Sequence, residues 1–198
     1  ANAPVVLCIP SLINRGYILD LSEDRSLIRT IARRGLRPLL LDWGTPDEVE
    51  RAFTLGDYID VHLGAVLDHV RAETGSAPAL LGYCMGGNLA LGLAARRPSD
   101  VGPLALLATP WDFHAGHGPA RAALNALRPG LEIMIASQGT LPVDVLQTLL
   151  NGLKPGLAGS KFRNLATARS TSRKFADFVV LEDWLNDGVP LAGPVAKA

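Results

Sequence analysis

Short runs of consecutive apolar residues alternate with longer amphipathic segments over the first half of the chain. Four runs predict strands: 5–9, 38–42, 79–83 and one within 101–108. The first is expected to be buried on both faces, as in a parallel sheet, and the second is also expected to be buried. Between them, apolar residues recur three and four positions apart and predict three helices: 22–35, 57–74 and 85–97. Ser22 is the expected N-cap of the first helix, and Gly35 is its expected end.

The alternation of strands and helices stops after residue 108. Up to that point it predicts parallel strand–helix–strand units with right-handed crossovers. Residues 118–185 show helical stretches separated by Gly and Pro, strongest at 124–135 and 143–153, and no strand pattern. We therefore expect an α/β fold in three parts, namely a core over 1–112, a helical cap over 113–178 and a segment returning to the core over 179–198.

The composition narrows the class of protein. The chain has 198 residues, of which 48% are hydrophobic, which suits one globular domain and excludes a disordered chain. Its 19 basic residues balance 19 acidic residues, so no net charge favours nucleic acid or an anionic membrane as partner. No signal peptide and no apolar run of transmembrane length is visible, and the two cysteines make neither a disulfide framework nor a zinc site. We expect a cytoplasmic protein without a metal or cofactor.

One segment carries a specific chemical motif. The residues GYCMGG at 82–87 lie between a predicted buried strand and a predicted helix. They match the G-x-nucleophile-x-G elbow, with Cys84 at the nucleophile position. Small residues are needed two positions before and after the nucleophile, because the backbone approaches closely there, and Gly82 and Gly86 satisfy this. Gly87 would let the helix pack closely on the sheet.

Such an elbow would expose the sulfur of Cys84 at the carboxyl end of the sheet. The positive end of the following helix favours the thiolate, which is the reactive form of cysteine. The backbone N–H of Met85 would face the oxyanion that forms when the sulfur attacks a carbonyl group. The alternative is a structural cysteine, which is the commoner fate of a lone cysteine. The position between strand and helix favours catalysis.

Several segments resemble one enzyme family, the polyhydroxyalkanoate synthases. PSLINRGYILDL at 10–21 is similar to the family's P-x-x-I-N-x-x-Y-I-L-D-L, and GYCMGG resembles its G-Y-C-x-G-G nucleophile box. LDWGTP at 41–46 is similar to the segment that carries S-W-x-x-P, and WLNDGVP at 184–190 loosely resembles W-N-x-D-x-T-x-x-P. The resemblance extends from residue 4 to about 112, thins through the cap and returns near 179–191.

The resemblance implies an α/β-hydrolase fold and an acyl transfer. Cys84 would carry the hydroxyacyl group as a thioester between hydroxyacyl-CoA, which is a substrate and not a cofactor, and the growing polyester. Met85 would supply one oxyanion N–H, and the loop of Ser11, Leu12 and Ile13 would supply the second. Asn14 and Tyr17 match the family and would fix that loop, whereas Cys8 is expected to be a small core residue.

The catalytic acid and base that the family needs are not expected in this chain. In this fold they follow the nucleophile in the order acid, then histidine. His62 and His69 precede Cys84 and share a predicted helix face, where surface roles are expected. Neither Asp183 nor Asp187 has the strand–turn context of the acid. We therefore expect the chain to be the middle of a longer domain.

Two further histidines follow the fourth predicted strand, in WDFHAGH at 111–117. His114 could serve as the base only if the fold placed it opposite Cys84 without the strand that usually precedes the catalytic histidine. Together with Asp112, His114 and His117 resemble a metal cluster only superficially, because no further ligand is near.

The predicted cap offers two kinds of surface. Basic residues near its end could attract CoA phosphates or simply face solvent: Lys154, Lys161, Arg163, Arg169, Arg173 and Lys174. Apolar residues could line an acyl path, form a homodimer or pack on the core: Leu141, Val143, Leu146, Leu149 and Leu150.

Two other functions stay open for the chain. It could belong to a thioesterase or depolymerase-like hydrolase with the same elbow, or be a non-catalytic fragment that binds polyester granules or a synthase.

Overall fold

Strands and helices follow one another up to residue 107 as the sequence predicts, in a computed structural model that describes residues 3–112, 118–152 and 173–198. The first elements are β1 (Val5–Ile9), β2 (Asp20–Ser22), β3 (Arg25–Ser26), α1 (Leu27–Arg33) and β4 (Arg37–Leu40). Next come α2 (Leu55–Asp57), α3 (Gly64–Thr74), β5 (Ala79–Tyr83), α4 (Met85–Arg96) and β6 (Leu104–Leu107). The last described elements are α5 (Gly118–Gln138), β7 (Thr140–Leu141), α6 (Val143–Gly152), α7 (Arg173–Asn186), β8 (Leu191–Ala192) and α8 (Gly193–Lys197).

The central sheet has four parallel strands in the order β4-β1-β5-β6, which confirms the predicted α/β class. Ile9 at the end of β1 pairs with Gly82 of β5, and Tyr83 pairs with Leu107 of β6. Because the strands are parallel, their carboxyl ends meet at one edge. The loop after β1 therefore lies beside the turn that follows β5.

Buried side chains cover both faces of this sheet. One cluster joins alternate strand residues to the helical layer from α3 and α4: Leu7, Ile9, Leu80, Leu63, Leu67, Leu89 and Leu93. A smaller cluster on the opposite face contains Val6, Cys8 and Leu19, with residues of α1 packed against it. Burial on both faces explains why β1 lacks an alternating polar pattern. The edge strands β4 and β6 are partly exposed, and Leu106 and Leu107 of β6 are exposed by 45% and 43%.

The elements after β6 pack on the same core. Ile135, Leu141, Leu146 and Val195 belong to the larger buried cluster. The prediction of no strand in 118–185 is wrong, because β7 pairs antiparallel with β8. Two residues are too short for a periodic signal, and their partners lie at least 50 positions later in the chain (Leu141 pairs with Leu191). The expected division at 178 lies within α7, and the three-part organisation stays a prediction.

Two local predictions also need correction. Ser26, rather than Ser22, caps α1, and its Oγ accepts a hydrogen bond from Arg29 N at 2.8 Å. Ser22 belongs instead to a small antiparallel pair, in which β2 and β3 use the residues that the pattern assigned to the helix. The helix expected from 57 is interrupted by a π-helical turn at Tyr58–Leu63, which sequence periodicity does not reveal.

Candidate active site

Cys84 lies in a sharp turn between β5 and α4. Its backbone angles are φ 52° and ψ −129°, a conformation that is strained for a residue with a Cβ. Two hydrogen bonds hold the turn: Cys84 N donates to Leu107 O, and Gly87 N donates to Cys84 O, each at 2.9 Å. The strand–turn–helix arrangement that the motif predicts is therefore present.

Steric overlap explains why three positions around Cys84 are glycine. A Cβ on Gly82 would overlap Gly87 Cα, and a Cβ on Gly86 would overlap the carbonyl oxygens of Ile9 and Pro10. A Cβ on Gly87 would overlap the Thr109 side chain. A larger residue at Gly82 or Gly86 would force backbone segments apart, and one at Gly87 would displace the side chain of Thr109.

Cys84 opens on a cavity of about 100 Å³ with a mainly apolar wall. The loop after β1 forms one side through Pro10, Ser11 and residues 13–15, and Ile18 and Tyr83 add to it. Leu150 of α6 and Trp184 of α7 close the other side. The structure thus brings Ser11 and Ile13 beside Cys84, whereas Leu12 is buried in the core.

Two groups near this cavity could stabilise an oxyanion. Met85 is the first residue of α4, so its N–H lacks an acceptor within the helix. In the loop after β1, Ile13 N already donates to Ser11 Oγ at 3.2 Å. Of the three loop residues that the sequence analysis names as oxyanion donors, Ser11 and Leu12 are therefore the two that remain.

The loop after β1 is anchored at both ends by tryptophan side chains. Trp43 Nε1 donates to Pro10 O at 2.9 Å, and Trp184 Nε1 donates to Arg15 O at 2.7 Å. Between them, Val189 N donates to Ile13 O at 2.8 Å. Segments 10–21 and 184–190, which both carry the family resemblance, therefore contact each other directly. The sequence did not indicate this contact, because the two segments are far apart in the chain.

Charged groups reinforce this contact. Arg15 Nε lies 3.6 Å from Asp187 Oδ1, and its other nitrogens donate to Gly44 O and Thr45 Oγ1 at 3.0 and 3.2 Å. Partial burial, and then the hydrogen bond with Asp187, raise the pKa of Tyr17. Asp187 is thus engaged with the loop and does not line the Cys84 cavity.

The two cysteines differ sharply in environment. Cys8 is completely buried, and burial raises the pKa of its thiol to about 11, which agrees with the predicted core role. Cys84 is half-buried and lines the cavity. Burial, and then the charge of Cys84, raise the pKa of the neighbouring Tyr83.

The described histidines lie away from the Cys84 cavity. His62 Nε2 contacts Glu50 Oε1 at 3.0 Å, and its ring packs among three aromatic rings: Trp43, Phe53 and Tyr58. His62 is therefore more enclosed than the predicted surface role implies, with a side chain that is 34% exposed against 73% for His69. His69 pairs with Glu73 at 3.3 Å. His114 and His117 lie outside the described residues, and Asp112 is exposed.

The cap residues divide between two environments. Leu141 and Leu146 are buried in the core and Leu149 packs against it, whereas Leu150 is 47% exposed beside Cys84. Arg173 pairs with Asp24 at 2.7 Å. The side chain of Lys174 and the other basic cap residues lie outside the described part: Lys154, Lys161, Arg163 and Arg169.

Within residues 3–112, 118–152 and 173–198, no three His, Cys, Asp or Glu side chains converge as metal ligands do. The helices of that same part are also too short or too polar to span a bilayer.

The parallel sheet, its flanking helices and the elbow define the class of this protein. A profile described as alpha/beta hydrolase fold matches residues 4–133, and the chain belongs to that family. The poly(3-hydroxyalkanoate) polymerase subunit PhaC of Allochromatium vinosum is 32% identical over 190 residues, covering 95% of this chain and 53% of the relative. The Haloferax mediterranei protein of the same name is 31% identical, covering 97% and 39%. These relatives confirm the resemblance indicated by the motifs. The chain spans about half the length of the Allochromatium protein.

Solved structures agree on the fold. An extracellular alpha/beta-hydrolase from a Paenibacillus species matches 97% of this chain and 69% of its own, with a TM-score of 0.56 and 15% identity. A Paleococcus ferrophilus monoacylglycerol lipase matches 98% and 64%, with a TM-score of 0.51 and 17% identity. At these identities the likeness shows the architecture alone.

Proposed function

We propose that this chain carries the nucleophile of an acyltransferase of the polyhydroxyalkanoate synthase type. The observation that carries the proposal is the strained turn at Cys84, whose thiol opens on a mainly apolar cavity. A hydroxyacyl group needs such a wall for its alkyl part and a nucleophile at its carbonyl end. The names of the relatives, poly(3-hydroxyalkanoate) polymerases, support the choice of substrate.

The proposed reaction has two acyl transfers. The sulfur of Cys84 attacks the carbonyl carbon of hydroxyacyl-CoA, the bond between that carbon and the CoA sulfur breaks, and CoA leaves with the proton of the thiol. The hydroxyl oxygen of a polyester end then attacks the thioester on Cys84, an ester forms, and the hydroxyl proton returns to the sulfur. Met85 N–H and an N–H of Ser11 or Leu12 would stabilise each oxyanion.

The base and the acid belong to the same proposal. A thiol needs a base near neutral pH, usually a histidine that an acid orients. Among the residues that the structure describes as lining the cavity there is neither histidine nor aspartate. We assign the roles of base and acid to residues of the whole protein that are not among these lining residues.

The proposed partners follow from the reaction. They are hydroxyacyl-CoA and the polyester chain, at the surface of polyester granules in the cytoplasm. A homodimer through the cap is also proposed, since α5 exposes large apolar side chains such as Leu127 and Ile133, at 53% and 73%.

The test uses the whole protein with 3-hydroxybutyryl-CoA. We expect a first turnover that releases one CoA per Cys84, followed by polymer, and a loss of about a thousandfold or more in Cys84→Ala. Cys84→Ser is the matched control, because it keeps a side chain of similar size in the elbow but replaces the thiol with a weaker nucleophile. Free hydroxyacid as sole product would favour the hydrolase, and unchanged CoA release in Cys84→Ala would reject the role of Cys84. No CoA release by the wild type would favour the non-catalytic binding function.

A further inference from the structure

A second cavity lies behind the one that holds Cys84. It measures about 150 Å³ and lies between α6, α7 and the segment after α7. Val143, Gln147 and Asn151 line it from α6, and Asn186 and Gly188 line it from the opposite side. None of these five residues lines the Cys84 cavity, so the two spaces have separate walls over most of their surface.

The two cavities adjoin along three residues that line both: Ile13, Asn14 and Leu150. Ile13 and Asn14 belong to the anchored loop, because Ile13 O accepts from Val189 N and Asn14 forms a bridge with Gly188. Leu150 is 47% exposed at the other side of the junction. The junction therefore consists of an anchored loop on one side and one partly exposed side chain on the other.

The wall of the second cavity suits a neutral ligand that is rich in carbonyl oxygens. Four amide side chains, Asn14, Gln147, Asn151 and Asn186, stand among apolar residues. Each amide nitrogen carries two N–H donors. Gln147 Nε2 uses one on Leu185 O and Asn186 Nδ2 uses one on Glu182 O, so each retains a second donor.

The same wall argues against the phosphates of CoA as its ligand. Its described lining includes Glu182 and neither Lys nor Arg. Anionic phosphate groups require cations or clustered backbone N–H groups. A polyester offers ester carbonyls that accept hydrogen bonds and alkyl groups that pack on Leu and Val.

We propose that this cavity is the subsite for the polyester unit next to the one at Cys84. The proposal rests on the proposed function and adds the place where the growing chain is held. Cavities of about 100 and 150 Å³ that share a boundary suit two successive units of one chain. Holding the penultimate unit would keep the chain end close to Cys84 for the next transfer.

The test compares variants of the whole protein that fill or recharge the second cavity. Val143→Phe fills it from α6, and Val145→Phe is the matched control, because Val145 lies on the same helix and lines the groove toward α5 instead. Asn151→Asp replaces amide donors with a carboxylate at an exposed position, so it should not disturb folding. The substrate is 3-hydroxybutyryl-CoA, and thermal melting confirms that each variant is folded.

We expect Val145→Phe to release the first CoA at the wild-type rate and amplitude. The same release is the reference for acylation of Cys84 in Val143→Phe and Asn151→Asp. Their polymer should be shorter by about fivefold, as the loss of one hydrogen-bonded subsite predicts, with chain length measured by gel permeation. Val145→Phe should make chains of normal length. Normal chain length in both test variants, or equal shortening in Val145→Phe, overturns the subsite. Absence of the first CoA release in the wild type overturns the proposed function itself, and with it this inference.

Discussion

The two cysteine thiols show how burial and backbone geometry separate reactivity within one residue type. Cys8 is enclosed in the sheet, where burial raises its pKa to about 11. Cys84 reaches a cavity from a turn that only a few L-residues tolerate. Because the thiolate is the reactive form, only Cys84 is placed to react under native conditions.

We predict that iodoacetamide at pH 8 adds one carbamidomethyl group to the native chain, on Cys84, as measured by intact mass and peptide mapping. At that pH, a thiol with a pKa of about 11 is ionised in about one molecule in a thousand. Cys84→Ala should take up no label when native and one label in denaturant. Labelling of Cys8 before Cys84 in the folded chain would contradict the assignment.

The loop after β1 shows how elements far apart in sequence position a single turn. Trp43 follows β4 and Trp184 belongs to α7, yet their indole N–H groups hold carbonyls at the two ends of the same loop. Because Ser11 and Leu12 lie between these anchors, the anchors define where their N–H groups stand relative to Cys84. Trp184 is accordingly a positioning residue.

Trp184→Phe tests that role, since it removes the N–H donor and retains an aromatic ring. In the whole protein we expect kcat to fall about fivefold while KM changes little, because about 1 kcal/mol of positioning is lost from the transition state. Thr30→Val in α1 is the control: it removes the hydrogen bond of 2.7 Å that Thr30 Oγ1 donates to Ser26 O, together with an exposed one that it accepts from Arg33. An equal fall in kcat for both variants would indicate general destabilisation instead.

The elements after β6 share one hydrophobic cluster with the parallel sheet and its helices. Leu146 of α6, Leu191 of β8 and Val195 of α8 are buried together with residues of β1, β5, α3 and α4. The pairing of β7 with β8 ties the start of α6 to the end of the chain. The described parts should therefore unfold as one cooperative unit rather than as a separate cap and core.

We predict that Leu146→Ala lowers the free energy of unfolding of the chain by about 2–5 kcal/mol, because it leaves a cavity in this shared core. Urea unfolding should show one transition that coincides by circular dichroism and tryptophan fluorescence. Leu150→Ala on the same helix should cost less than about 1 kcal/mol, since its side chain is 47% exposed. Two separate transitions would show that cap and core are independent.

The amino-acid sequence by itself determined the features that depend on near neighbours. Runs such as 5–9 and 79–83 predicted the buried strands, and the spacing of Gly82, Cys84 and Gly86 predicted the elbow. These signals are readable because strand burial and a tight turn restrict consecutive residues. The prediction of a helix capped by Ser22 is wrong. Residues 20–26 form the β2–β3 pair instead, and the helix begins after Ser26.

Only the tertiary structure decided which distant residues share a site. It placed Leu150 and Trp184 beside Cys84, joined segment 10–21 to 184–190 and created the second cavity between α6 and α7. It also gave His62 aromatic neighbours and paired β7 with β8. Such contacts arise from the packing of elements that are remote in the chain, and no local periodicity encodes them.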